Sequence, residues 1–308
     1  MDFGTTTQPK MSSWKLLVLV LFLSTQLIDA VVRKEDLARF VNELLNVYMP
    51  TIPAGHQEPP AFSLAISIPQ NDLRRHDFSK VIAADPPANV RIAMDRCQVY
   101  TGTRVVASTL LKYPDFITRC PNEPITWDYV KQKCPTLQRW GDFEQCTSGE
   151  IRQLKRLPEG DGLVQHAEFR VLENIQTLTN KINRVNGLRS SDLMLFYTHR
   201  SPCHTRCCSS HPTFSIINKL AGSIRRWNDY AVVFSEIFVP GRTSSTGAQL
   251  EQDRRTALQN LGNGIGGTAN IYRCTRGSSA CYSCNAPGGI NNDCVRAPRS
   301  PSAPPGGH

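Results

Sequence analysis

Between residues 34 and 48 the apolar positions Leu37, Phe40, Val41, Leu44 and Leu45 recur every three or four residues. That is the spacing of a helix with one buried face, and Pro50 ends it. Residues 61–68 (AFSLAISI) alternate and predict a strand. Residues 90–94 and 104–111 predict two more. Residues 112–160 keep no clean period and hold Cys120, Cys134 and Cys146 amid Pro, Trp and polar residues, so they read as a disulfide-pinned insertion. The pattern sharpens from residue 165. A helix is predicted over 166–182, with Leu172, Ile175 and Ile182 on one face and Asn186-Gly187 closing it. A buried strand follows at 192–198, then a helix over 213–227 with Phe214, Ile217, Leu220, Ala221 and Ile224 inward. A strand at 230–239, a helix at 249–261 and a short strand at 268–274 complete the series. From Thr275 the chain is rich in Gly, Pro, Ser and Asn and is expected to be irregular, tied down by Cys281, Cys284 and Cys294.

Helices that alternate with strands in the second half imply parallel strand pairs with helices packed on the sheet. The expected class is α/β: a mixed central sheet of about five strands with helices on both faces. At the N-terminus Lys10 and Lys15 precede an apolar run over residues 16–23, and a small residue, Ala30, offers a cleavage point. The run is shorter than the roughly 20 residues that span a bilayer, and its flanks are those of a secretory signal. The organisation expected is a signal over 1–30, a main domain over 31–274 with its insertion at 112–160, and a cysteine-bearing tail over 275–308. The mature protein is then expected outside the cell. Hydrophobic content of 40% and charged content of 20% exclude wholesale disorder and a polytopic membrane protein. Eleven cysteines in the 308 residues point to oxidation or metal, and the net charge of +9 points to a polyanionic partner. No Asn-x-Ser/Thr acceptor occurs.

Two short motifs carry the candidate chemistry. His166-Ala167-Glu168 opens one predicted helix. Ser201-Pro202-Cys203-His204-Thr205-Arg206-Cys207-Cys208 joins a buried strand to the next helix. One imidazole and two thiolates suit zinc, and three protein ligands leave a fourth position open for chemistry. Both motifs are expected at helix N-termini, where side chains lean outward and the positive helix end favours thiolates. Glu168, beside the ligands rather than among them, is placed to move a proton. Three other features read as structural. His199, His204 and His211 are expected to be loop or solvent histidines. Gly262-x-Gly264-x-x-Gly267 follows a helix and precedes a strand, the reverse of a phosphate-binding loop, and reads as a flexible turn. Cys281-x-x-Cys284 with Cys274 and Cys294 reads as disulfides rather than a second zinc site.

A helix that opens H-x-E, then a strand, then P-C-x(2–4)-C, resembles the signature of the zinc-dependent nucleobase deaminases. The basic charge, the secretory signal and the long cysteine-bearing insertion look like the secreted AID/APOBEC-like deaminases. The resemblance covers roughly residues 34–274, with its specific residues between 166 and 208. It implies the cytidine deaminase-like fold, a Zn²⁺ ion on His166 and two cysteines, and Glu168 as the proton shuttle. The reaction it implies is deamination of cytosine to uracil in single-stranded nucleic acid, with zinc-bound hydroxide as nucleophile. Cys203 with Cys207 is the preferred pair, being four residues apart on one helical face. Cys208 is then left for a disulfide, although the family spacing also admits Cys208 as the ligand. This chain departs from the pattern at Arg200, where those enzymes usually carry Trp. It also lacks their aromatic loop at Pro240, Gly241 and Arg242.

Between Lys181 and Arg226 eight Lys and Arg stand against one Asp. Such a stretch suits single-stranded DNA, RNA or another polyanion. Two other readings stay open: a deaminase of free nucleosides or of adenine, and a catalytically silent secreted binding protein on the same scaffold.

Overall fold

The computed structural model describes residues 32–71, 75–156, 163–186, 191–209, 215–224, 227–240 and 246–296. The predicted signal therefore lies outside the described residues. Among those described, no helix is long and apolar enough to cross a membrane.

The apolar stripe at the start of the body forms helix α1 (Lys34–Tyr48), with Leu37, Phe40, Val41, Leu44 and Leu45 all buried. Strand β1 (Phe62–Ile68) is buried at every position, so both of its faces are covered. Helices α2 (Ser79–Ala84) and α3 (Pro87–Asp95) follow. The strand expected at 90–94 is therefore the second half of a helix. Val90 and Met94 are buried while Ile92 between them is 51% exposed, a spacing of four rather than two. Pro87 in the first turn presets the helical backbone there.

Strands β2 (Tyr100–Thr101), β3 (Val105–Thr109) and β4 (Leu111–Lys112) come next. The described residues between 113 and 163 leave the sheet as three short helices, α4 (Asp115–Arg119), α5 (Asp128–Lys133) and α6 (Ser148–Leu154), with a 3-10 turn at Trp140–Gln145. They close around Phe116, Trp127, Trp140 and Phe143, all buried. A disulfide Cys97–Cys120 joins this segment to the end of α3, and Cys134–Cys146 closes it internally. The chain returns through β5 (Val164–Gln165), antiparallel to β4.

The second half alternates as its periodicity indicates: α7 (Ala167–Asn186), β6 (Leu193–Arg200), α8 (Ile217–Ile224), β7 (Asp229–Glu236), α9 (Gly247–Ile265) and β8 (Ile271–Arg273). Four two-residue and three-residue elements follow beyond residue 274: β9 (Tyr282–Ser283), β10 (Asn285–Ala286), β11 (Gly289–Ile290) and a 3-10 turn at Asn292–Cys294. Turns and bends make up most of the described tail between these short elements, as expected. Disulfides Cys274–Cys281 and Cys284–Cys294 fold it back onto the sheet.

The sheet runs β2-β3-β1-β6-β7-β8-β9, seven strands rather than five. The two additions to a five-strand core, β2 and β9, are two-residue edge strands too short to leave a period in the sequence. β1 is antiparallel to β3 and β6, whereas β6, β7 and β8 are parallel. One face carries Ala65, Val106, Met194, Phe196, Val232 and Phe234 against α7, α8 and α9. Gly262 and Gly264, read as a turn from the sequence, lie inside α9. A methyl at Gly264 would collide with the Ile217 side chain, so the glycine lets α9 and α8 approach closely.

Candidate metal centre

The two motifs meet at one end of the sheet. His166 sits between β5 and α7. On one side, the Trp127 indole donates to Gln165 Oε1 at 3.2 Å, fixing the residue before it. On the other, the Arg170 amide donates to the His166 carbonyl at 3.2 Å, opening the first turn of α7. The buried Arg170 guanidinium donates to the carbonyls of Thr109 and Cys97, each at 2.6 Å. Burial pushes this guanidinium down to about 10. Along α7, Val171, Leu172, Ile175, Leu178 and Ile182 are buried in the core, which sets the helix direction and hence where its N-terminus points.

Cys203 follows the end of β6. The Ser201 amide donates to the Glu236 carbonyl at 2.8 Å, and the Phe238 amide donates to Ser201 Oγ at 2.9 Å. These bonds clamp the exit of β6 to that of β7. The cysteines then lie on a tight turn, not on the opening of a helix, because α8 begins only at Ile217. The Cys208 amide closes the turn on the Cys203 carbonyl at 2.9 Å, and the Ile216 amide bonds the Cys207 carbonyl at 2.9 Å. So a single helix N-terminus, that of α7, faces the cluster rather than two. Cys203 and Cys207 converge through the turn, and the Cys207 amide donates to Cys203 Sγ at 3.4 Å.

His166 Nδ1 lies 3.1 Å from Cys207 Sγ and 3.7 Å from Cys203 Sγ, and the three ligand atoms lie within 4.8 Å of one another. A tetrahedral zinc with bonds of about 2.0–2.3 Å separates its ligand atoms by roughly 3.3–3.8 Å. One nitrogen and two sulfurs at this spacing fit such an ion. Cys203, Cys207 and Cys208 are free thiols, and the other eight cysteines form the four disulfides. Cys208 is therefore not in a disulfide as expected: it is buried on the turn, where no other free cysteine remains for it outside the cluster. The hydrogen bond between the two thiols holds Cys203 well below the usual thiol range, against the opposing effect of burial, while the same bond and burial push Cys207 up. Burial alone would lower His166, but the neighbouring Cys203 raises it on balance.

Glu168 is 8% exposed and lies in the first turn of α7. Burial pushes its carboxyl up. The Thr198 hydroxyl reaches it from β6, with Oγ1 to Oε1 at 3.1 Å, and also lies 2.7 Å from the Arg200 carbonyl. Thr198 was missed in the sequence. Its signal was a buried polar residue closing an otherwise apolar strand.

Beside His166 opens a cleft lined by Trp127, Tyr129, Val164, Gln165, Phe169 and Arg206. Arg200 is engaged by two carboxylates: Nη2 lies 2.7 Å from Glu58 Oε2 and Nε lies 3.7 Å from Glu236 Oε2. His199 is not a loop histidine. It is buried, stacked on Phe62 and 3.4 Å from Glu236. His204 lies on the cysteine turn, and His211 falls outside the described residues. Of the basic stretch, Lys181 donates to the carbonyls of Thr101 and Gly102, and Lys219 pairs with Glu173. Arg189, Arg225, Arg226 and the side chain of Arg184 fall outside the described residues.

Residues 147–297 match the family model described as Secreted Novel AID/APOBEC-like Deaminase 1. The match spans just under half of the chain and includes the whole His166, Cys203, Cys207 cluster. It leaves out β1, β2 and β3 and most of the segment between β4 and β5. Comparisons with curated proteins and with solved structures gave no match.

Proposed function

We propose that this chain is a secreted zinc-dependent deaminase that converts cytosine to uracil in single-stranded nucleic acid. The observation that carries the reading is the convergence of His166, Cys203 and Cys207 beside a buried Glu168 at the start of α7. The partial match to an AID/APOBEC-like deaminase family supports it. His166 Nδ1 and the two sulfurs would hold the ion, which when bound supplies Lewis acidity and a water acidified to near neutrality.

This chain's own residues do the rest. Glu168, outside the ligand set, accepts a proton and returns it to the departing amine. Burial raises its carboxyl, which makes it a stronger base for that transfer. Thr198 orients that carboxyl from β6. Four disulfides suit an oxidising compartment, in keeping with the word "Secreted" in the matched family's description. The net charge of +9 suits a polyanionic substrate.

The experiment is metal analysis together with a uracil assay on labelled single-stranded DNA and RNA. The expected result is one zinc per chain, lost in His166→Ala, and uracil formation lost by at least about a hundredfold in Glu168→Ala with the zinc retained. Zinc without any uracil in either nucleic acid would overturn this reading and leave a deaminase of free nucleosides or of adenine, or a binding protein, in its place.

A further inference from the structure

In the deaminase reading the substrate ring needs a neighbour, and Arg200 before the cysteine turn is engaged by Glu58 and Glu236. The cleft beside His166 offers one. Its wall is the pair Trp127 and Tyr129, with ring centroids 5.5 Å apart and planes 17° from parallel. Phe169 of α7 and Arg206 of the cysteine turn complete it. Its enclosed volume is only about 40 Å³, so it offers a ring an open face to lie against rather than a pocket that swallows it.

The wall is rigid at its base and accessible at its edge. Trp127 is 5% exposed, packed edge-on by Phe116 at 5.6 Å and Trp140 at 4.9 Å, and bonded through its indole N–H to Gln165. Tyr129 and Phe169 are half-buried. Rings already fixed in place lose little freedom when another ring stacks on them. Arg206 donates to the Val164 carbonyl at 3.0 Å, which anchors a cation in the same cleft. A second groove of about 280 Å³ shares Trp127 and Gln165 with the first and is lined by Arg96 and Arg170. Its acidic wall residues are engaged: Glu123 accepts from Gln98, and Glu173 pairs with Lys219. The groove thus gives a strand somewhere to continue. Trp127 and Tyr129 both lie outside residues 147–297, so the family match says nothing of them.

We infer that Trp127 and Tyr129 are a stacking wall for an unpaired nucleobase beside the metal cluster, with Arg206 receiving the adjoining phosphate. The inference rests on the deaminase reading for its ligand, but its test needs no turnover. Zinc-loaded full-length protein carrying Glu168→Gln is titrated with oligodeoxycytidylate, with an abasic oligomer of equal length, and with free deoxycytidine. Tryptophan fluorescence and anisotropy are followed.

The oligonucleotide quenches tryptophan, and Tyr129→Leu weakens its binding about tenfold while abasic binding stays the same. Arg206→Ala weakens the oligonucleotide and leaves deoxycytidine unchanged. Trp127→Phe keeps a ring in the buried position, so it retains the fold and most of the affinity while losing the quench. The inference is overturned if Tyr129→Leu binds within twofold of its parent, if the quench survives Trp127→Phe, or if the abasic oligomer binds as well as the intact one. Uracil formation by the unmutated protein is scored separately. No uracil with base-dependent binding sinks the deaminase reading alone, and uracil with an unchanged KM in Tyr129→Leu sinks the wall alone.

Discussion

Glu168 sits in the first turn of α7 with 8% of its surface exposed, and burial raises its carboxyl above the ordinary carboxylate range. An acid whose folded pKa is raised holds its proton more tightly folded than unfolded. Its contribution is harmless at pH below the unfolded value and becomes a growing penalty as pH rises through the folded one. Glu168→Gln keeps an oxygen for the Thr198 hydroxyl and removes the charge. Metal-free Glu168→Gln is therefore expected to melt above the metal-free parent at pH 8, by roughly 2–4 °C for each kcal/mol relieved. The gain should vanish near pH 4. Thermal melts in chelator at the two pH values check this, and an equal gain at both would refute the cause. The residues of the cluster were legible because the types and spacing of ligands are local in the chain. Thr198 and Trp127 were not, because what matters for each is a contact with a residue 30 or more positions away.

At the scale of elements, legibility followed the length of the periodic run. α1, α7 and α9 span 15 to 20 residues and were each readable, whereas α3 was mistaken for a strand because five residues satisfy either period. The turn holding Cys203 and Cys207 was mistaken for a helix opening for a related reason. A four-residue spacing serves a helical face and a turn equally, and only the amide of Cys208 returning to Cys203 tells them apart. The helix that positions His166 and Glu168 depends on its apolar stripe. Leu178, fully buried three turns from the cluster, tests that dependence. Leu178→Ala is expected to cost about 2–5 kcal/mol, against about 0.5 kcal/mol or less for exposed Gln176→Ala. Urea unfolding of the zinc-loaded protein measures both. Because the stripe sets direction rather than ligand chemistry, zinc content in Leu178→Ala below the unfolding transition should stay at the parent's level.

For the whole molecule, the sheet and the segment between β4 and β5 divide the work. The candidate ligands His166, Cys203 and Cys207 come from the β5–α7 junction and from the turn after β6, all supported by the central strands. The aromatic cleft needs the inserted segment, which has its own buried cluster and is held to α3 by Cys97–Cys120. The two should therefore separate when that tether is cut. Replacing both cysteines by alanine frees a loop whose ends are 23 residues apart, a loss of about 3 kcal/mol on the chain-entropy account. Cys134–Cys146 still closes the segment internally, and the β4–β5 pairing still brings the chain back to His166. The double variant is expected to keep its zinc, because none of the three ligands depends on Cys97 or Cys120. It is expected to bind oligodeoxycytidylate more weakly and with less tryptophan quenching, because Trp127 is no longer clamped. Metal analysis and fluorescence titration on one preparation decide it. Zinc lost together with base binding would mean that the inserted segment is part of the metal scaffold, and the division argued from the elements would fail.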